Sequence, residues 1–167
     1  GATQYLSHTS ISVPTTYSMG AWTNYTTTPT SGTKKEVVDI GTGAVGGNGQ
    51  YAILGIFANY GGTYNINGTA GQTPDGSKYQ CWAYSTAFYV AQSSAAITAS
   101  QWHHQVCTLD STGLKLYVDG QLAATNTGIT ALATTPTTVV IGRSLSGVTP
   151  GYWDGKADEV FLDATIL

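Results

Sequence analysis

The sequence predicts an all-β protein, a sandwich or barrel of short strands, on three observations. Short strand-like runs recur along the chain, each closed by Gly, Pro, Asn or Asp. The helical period of apolar residues is almost absent. Threonine is abundant and glycine occurs 21 times in 167 residues, the first favouring strands and the second the turns between them.

The runs follow in order. YSMGAWTNY at 17–25 reads as a strand, and EVVDIG at 36–41 as a second that ends in the glycine-rich GTGAVGGNG. YAILGIFANY at 51–60 is a third, and the turn-rich GGTYNING follows it. KYQCWAYSTAFYVAQ at 78–92 is long enough for two strands or one bent one. WHHQVCTLD, LKLYVDG, QLAATNTG, TTVVIGRS and KADEVFLD complete the set, with TALATTPTT at 130–138 as a polar loop. No internal repeat or linker interrupts them, and a chain of this length is expected to be one domain over 1–167.

Composition excludes several functions. Charged residues are 9% of the chain, far below the roughly 25% of an ordinary soluble protein. The net charge is −3 and the lysines are scattered, so no nucleic-acid partner is expected. No apolar run approaches the ~18 residues of a membrane span, so no membrane insertion is expected. Solubility carried by Thr, Ser, Asn, Gln and Gly predicts an extracellular or virion-surface location. Cys81 and Cys107 both fall in strand-like runs. They are compatible with one disulfide or with two buried thiols, and they make no zinc signature.

WHHQVCTLD places two histidines side by side ahead of a cysteine. Successive side chains of a strand point to opposite faces, so His103 and His104 diverge and do not chelate one ion. The expectation is a strand with at least one histidine hydrogen-bonded in or near the core. Beyond the turn STG, Leu114, Leu116 and Val118 alternate with Lys115, Tyr117 and Asp119, one buried face and one wetter face. Asp119-Gly120 signals a hairpin turn.

W-H-H followed by a strand, an Asp-containing turn and L-K-L-Y-V-D-G-Q-L resembles the laminin-G-like, concanavalin A-like jelly-roll domains. VVIGRS at 139–144, YWDGKADEVFLD at 152–163 and YSMGAWTNY at 17–25 resemble further motifs of that family in the right order. Gln105 departs from it, standing where the family has an apolar residue. The resemblance implies a two-sheet antiparallel β-sandwich, a jelly roll, and a non-catalytic carbohydrate-binding or adhesion module displayed on a surface, with a glycan or cell-surface polysaccharide as partner. It also makes Asp158 the candidate ligand of a structural calcium ion. It implies that Trp22, Trp102 and Trp153 serve packing. A virion component, such as a phage capsid decoration or tail-fibre module bound to capsid or tail proteins, is the alternative that the low charge and the Thr, Gly and Ala content suggest.

Two groups of residues suit a sugar, whose ring has an apolar face and a polar rim. Gln80, Trp82 and Tyr84 share one face of a strand and make a candidate stacking stripe. Tyr60, Tyr64, Asn65 and Asn67 make a polar, aromatic loop. Hydrolysis by retention needs two carboxylates about 5 Å apart. Strand parity separates Glu36 from Asp39, and Asp158 from Glu159, while Asp110 and Asp119 fall at turns. No enzymatic activity is expected.

Overall fold

The structure, a computed structural model, describes residues 4–29, 32–43, 49–58, 62–145 and 151–165. These form thirteen strands: β1 Leu6–Thr9, β2 Tyr17–Tyr25, β3 Thr33–Gly41, β4 Gln50–Ala58, β5 Tyr64–Ile66, β6 Thr69–Gln72, β7 Lys78–Tyr84, β8 Phe88–Ala96, β9 Trp102–Asp110, β10 Gly113–Val118, β11 Gln121–Asn126, β12 Thr138–Ile141 and β13 Gly155–Asp163. β2 and β9 match the runs read from the sequence. The 78–92 segment is two strands joined by a three-residue loop. β1, β5 and β6 are short, and no alternating run marked them. No helix long and apolar enough to cross a membrane occurs among the described residues.

An eight-stranded sheet, ordered β1-β12-β3-β4-β7-β8-β5-β6, faces a five-stranded sheet, ordered β11-β10-β9-β2-β13. The pairs are antiparallel except β5–β8, which is parallel. Parity sends Val38, Ile40, Leu54, Ile56, Tyr79 and Cys81 inward from the large sheet. Tyr17, Met19, Tyr25, Leu109, Leu114 and Leu116 meet them from the small one. Two-faced alternation thus produces the main core, as the sequence predicts.

Cys81 of β7 and Cys107 of β9 form a disulfide across this core, with Cα atoms 5.9 Å apart. The bridge therefore ties the two sheets together, and neither sulfur is a free thiol. The buried Gln105 is also accounted for. Its Nε2 donates to Thr23 Oγ1 and to the Tyr25 hydroxyl, the latter at 3.1 Å. A buried amide satisfied in this way replaces the family's apolar side chain at little cost. His103 and His104 diverge as expected. His103 Nδ1 lies 2.7 Å from Asp119 Oδ2, and the His104 ring lies 5.2 Å from that of Trp22 on the outer face. Asp119 and Gly120 have φ of 51° and 76° in a two-residue loop between β10 and β11, which is the backbone an Asp-Gly hairpin turn adopts.

Parity fails at bulges, and two expectations fall with it. Glu36 pairs with Gly55, and Asp39 pairs with Ile53, because Val37 is an extra residue in β3. Glu36 and Asp39 therefore share the outer face of the large sheet instead of opposing one another. Both are buried. Glu36 accepts an ion pair from Lys34 Nζ at 2.8 Å, and Asp39 Oδ2 accepts from the Leu145 backbone N–H at 2.6 Å. A second bulge lies between Asp158 and Phe161 in β13.

At the β9–β10 turn the Asp110 carboxyl is held down at about 2. The Thr112 hydroxyl, which donates to it, is the largest cause, opposed by desolvation and aided by Lys115 Nζ at 3.0 Å. The native pKa is depressed, so its stabilisation is complete above the unfolded value of about 3.9 and is lost as pH falls through about 2. A carbon-detected titration of Asp110 is expected to show its midpoint near 2. A midpoint at the ordinary aspartate value would contradict the turn geometry.

Candidate functional site

Gln80, Trp82 and Tyr84 alternate with Tyr79, Cys81 and Ala83, so the first three point away from the main core. The outer face there is not open. Trp82 pairs in register with Ile53 on one side and Val90 on the other, and with Phe57 and Ile66 these build a second apolar cluster. Trp82 is 1% exposed. Phe57 lies at 4.2 Å, Tyr64 at 5.0 Å and Phe88 at 6.0 Å, the last two edge-on. The expected stacking stripe is corrected accordingly: Trp82 and Gln80 offer no surface to a ligand.

Gln80 serves Trp82 instead. Its Oε1 accepts from Trp82 Nε1 at 3.0 Å and from the Phe57 backbone N–H at 2.9 Å. Its Nε2 donates to the carbonyls of Phe57 and Asp75 and to Gln92 Oε1. The buried indole N–H is thus satisfied, which its burial demands.

Above this floor lies an open hollow of about 500 Å³, lined by Tyr64, Asn65, Tyr84, Phe88 and Tyr89 with Thr63 at its rim. Three of the side chains singled out from sequence, Tyr64, Asn65 and Tyr84, are brought together here. The hairpin register sets Tyr84 against Phe88, with ring centroids 5.0 Å apart. Parallel pairing with β8 sets Asn65 beside Tyr89. Asn65 is anchored, since its Oδ1 and its carbonyl both accept from Asn126 Nδ2 at 2.9 Å. Asn67 is spent on structure: it exchanges two hydrogen bonds of 2.8 Å with the Gln92 backbone and pins the β5–β6 hairpin to β8. Tyr60 lies outside the described residues. Sequence reasoning missed Phe88 and Tyr89, whose signal was the turn STA that folds β8 back onto β7.

A model of the concanavalin A-like lectin/glucanases superfamily matches residues 1–162. The chain belongs to that superfamily. Among curated proteins, none matches the sequence. Solved structures share the superfamily fold at low identity. The Ruminococcus gnavus IT-sialidase CBM40, bound to α2,3 sialyllactose, is 14% identical with a TM-score of 0.64, covering 100% of this chain and 95% of that one. Domain 4 of the extracellular arabinanase AbnA from Geobacillus stearothermophilus, in complex with arabinotriose, is 14% identical with a TM-score of 0.51 over 90% of this chain. The match spans 59% of the domain 4 chain's own length. A homodimeric agglutinin from chicken liver is 10% identical with a TM-score of 0.50, covering 96% and 100%.

One further expectation drawn from the resemblance is corrected. Trp22 and Trp102 do not pack the core; they are 38% and 44% exposed on the outer face of the small sheet. In β2 the inward positions go to Met19, Ala21, Thr23 and Tyr25, so Trp22 must face out. Trp153 does serve packing, half-buried with its ring 4.6 Å from Tyr25. Asp158 lies beside Trp22, Trp102 and Glu159 around a separate hollow of about 330 Å³. Calcium takes six to eight oxygen ligands, commonly several carboxylates. Among the described residues no three His, Cys, Asp or Glu side chains gather where they could hold a metal ion. The donors around Asp158 do not fit a calcium ion.

Proposed function

We propose that this chain is a non-catalytic carbohydrate-binding module that works outside the cell and seats a sugar in the hollow of Tyr64, Asn65, Tyr84 and Phe88. The carrying observation is that β5, β7 and β8 each deliver an aromatic or amide side chain to one open hollow over a rigid aromatic floor. Aromatic rings take the apolar face of a pyranose, and an anchored amide with tyrosine hydroxyls takes its rim. The superfamily includes lectins, and solved relatives of this fold hold sialyllactose and arabinotriose, which supports the same class of ligand here. An extracellular location is supported by the disulfide, since such bridges persist in oxidising compartments. Binding in place of hydrolysis is supported by the state of Glu36 and Asp39, both closed off from solvent and the first locked to Lys34.

The test is a broad glycan array with calcium and with chelator, followed by titration of Tyr64→Ala and Tyr84→Ala. A specific glycan is expected to bind under both conditions, because no carboxylate among the described residues lines the hollow. Each variant is expected to weaken binding about tenfold, equivalent to roughly 1.4 kcal/mol for one stacked ring. A blank array under both conditions, or a glycan whose affinity neither variant changes, would overturn this reading. A blank array would favour a structural, virion-type role instead.

A further inference from the structure

The hollow on the small sheet has different chemistry from the one above. On its outer face, β9 presents Trp102 and His104, β2 presents Asn24 and Trp22, and β13 presents Lys156 and Asp158, in two cross-strand rows. Trp22 and Trp102 are diagonal neighbours on adjacent strands, whose Cα atoms such pairing sets about 7–8 Å apart. Each leaves part of its indole open to solvent. A regular strand would turn Glu159 to the opposite face from Asp158. The bulge prevents this: Glu159 has φ of 47°, its N–H donates to Asp158 Oδ1 at 2.8 Å, and both acidic residues line the hollow with the two tryptophans. A side chain other than glycine in the left-handed region costs energy that a plain edge strand has no reason to spend. The next row is closed by Phe161, whose ring lies over Gly20; a Cβ on Gly20 would meet Phe161 Cε1 at 2.6 Å. Asp158 and Glu159 together outweigh Lys156, so the hollow carries net negative charge.

Flat indole faces beside two carboxylates suit a ligand that is apolar in its ring and positive at its edge. We propose that this hollow is a second binding site, specific for a sugar unit with a free ammonium group, a de-N-acetylated hexosamine. The pyranose stacks on Trp22 or Trp102, and the ammonium sits between Asp158 and Glu159. The site is independent of the Tyr64–Tyr84 hollow on the other sheet.

The experiment is calorimetric titration of the purified chain with a β-1,4-linked glucosamine tetrasaccharide and with its fully N-acetylated counterpart. The free amine is expected to bind at least tenfold more tightly. Asp158→Asn combined with Glu159→Gln is expected to abolish that preference, and Trp22→Ala and Trp102→Ala each to weaken binding about tenfold. Asp163→Asn, which removes one carboxylate of the same strand away from the hollow, is expected to leave it unchanged. Melting curves confirm that these surface variants fold. Equal affinity for the two sugars, retention of the preference in the double carboxylate variant, or no binding of the free amine would sink the proposal. Equal affinity for a lysine-bearing tetrapeptide would sink it too, by showing a site for any cation.

Discussion

Reducing the Cys81–Cys107 bridge is expected to lower the melting temperature by about 10 °C. The loop it closes spans 26 residues, for which chain entropy assigns about 3–4 kcal/mol to the crosslink. In a protein of this size each kcal/mol moves the midpoint by roughly 2–4 °C. The effect is large because the bridge joins β7 of one sheet to β9 of the other inside the main core. No backbone hydrogen-bond ladder connects those two strands. Cys81→Ala with Cys107→Ala should lose at least as much, since two small voids join the lost crosslink. The check is a pair of thermal melts with and without reductant, with alkylation of the unreduced protein to count thiols. Full labelling of both cysteines in the native chain, or melts that coincide, would show that the sheets hold together without the bridge.

Trp82→Ala is expected to destabilise the fold by about 3–5 kcal/mol, the range for removing a buried aromatic side chain. It opens a cavity among Ile53, Phe57 and Val90, removes the floor beneath Tyr64 and Phe88, and takes a donor from Gln80 Oε1. Glycan binding should fall with it, but through collapse of the hollow and not through a lost contact. Trp82→Phe separates the two effects. It keeps an apolar ring while removing the N–H, and is expected to cost about 0.5–1.5 kcal/mol, one hydrogen bond, because Gln80 Oε1 still accepts from the Phe57 N–H. Chemical denaturation of both variants decides the matter. A fully stable Trp82→Ala chain that had lost only its ligand would return Trp82 to the binding surface.

Alternation explains what could be read from the sequence and what could not. It was enough to place β2, β9, β10 and β11, to separate His103 from His104, and to group Gln80 with Trp82 and Tyr84. It fails wherever the strand gains a residue. Val37 brings Glu36 and Asp39 onto one face, and the bulge after Asp158 does the same for Asp158 and Glu159. Both carboxylate pairs had been set apart by parity alone. A bulge is fixed by its partner strand, and EVVD and ADEV carry no local mark of theirs. Burial of the outer face escaped for a related reason. Which face of a strand is covered depends on what folds over it, and here Phe57, Ile66 and Phe88 come from three other strands. The Tyr64–Asn65 segment was legible as a polar aromatic loop, but its place beside Tyr84 rests on a parallel pairing that no turn signal announces.

The order of strands in the small sheet also sets an order of events. β9, β10 and β11 are consecutive and joined by tight turns, so they can assemble as a meander with little loop entropy to overcome. β2 has no partner of its own until β9 exists, about eighty residues later, and its second partner is β13. A chain emerging from the ribosome therefore carries YSMGAWTNY as an unpaired strand until β9 has been made. Long-range pairings of this kind are slow to form, and an apolar strand waiting for them is open to the wrong neighbour. β13, made about fifty residues after β9, then covers the other edge of β2.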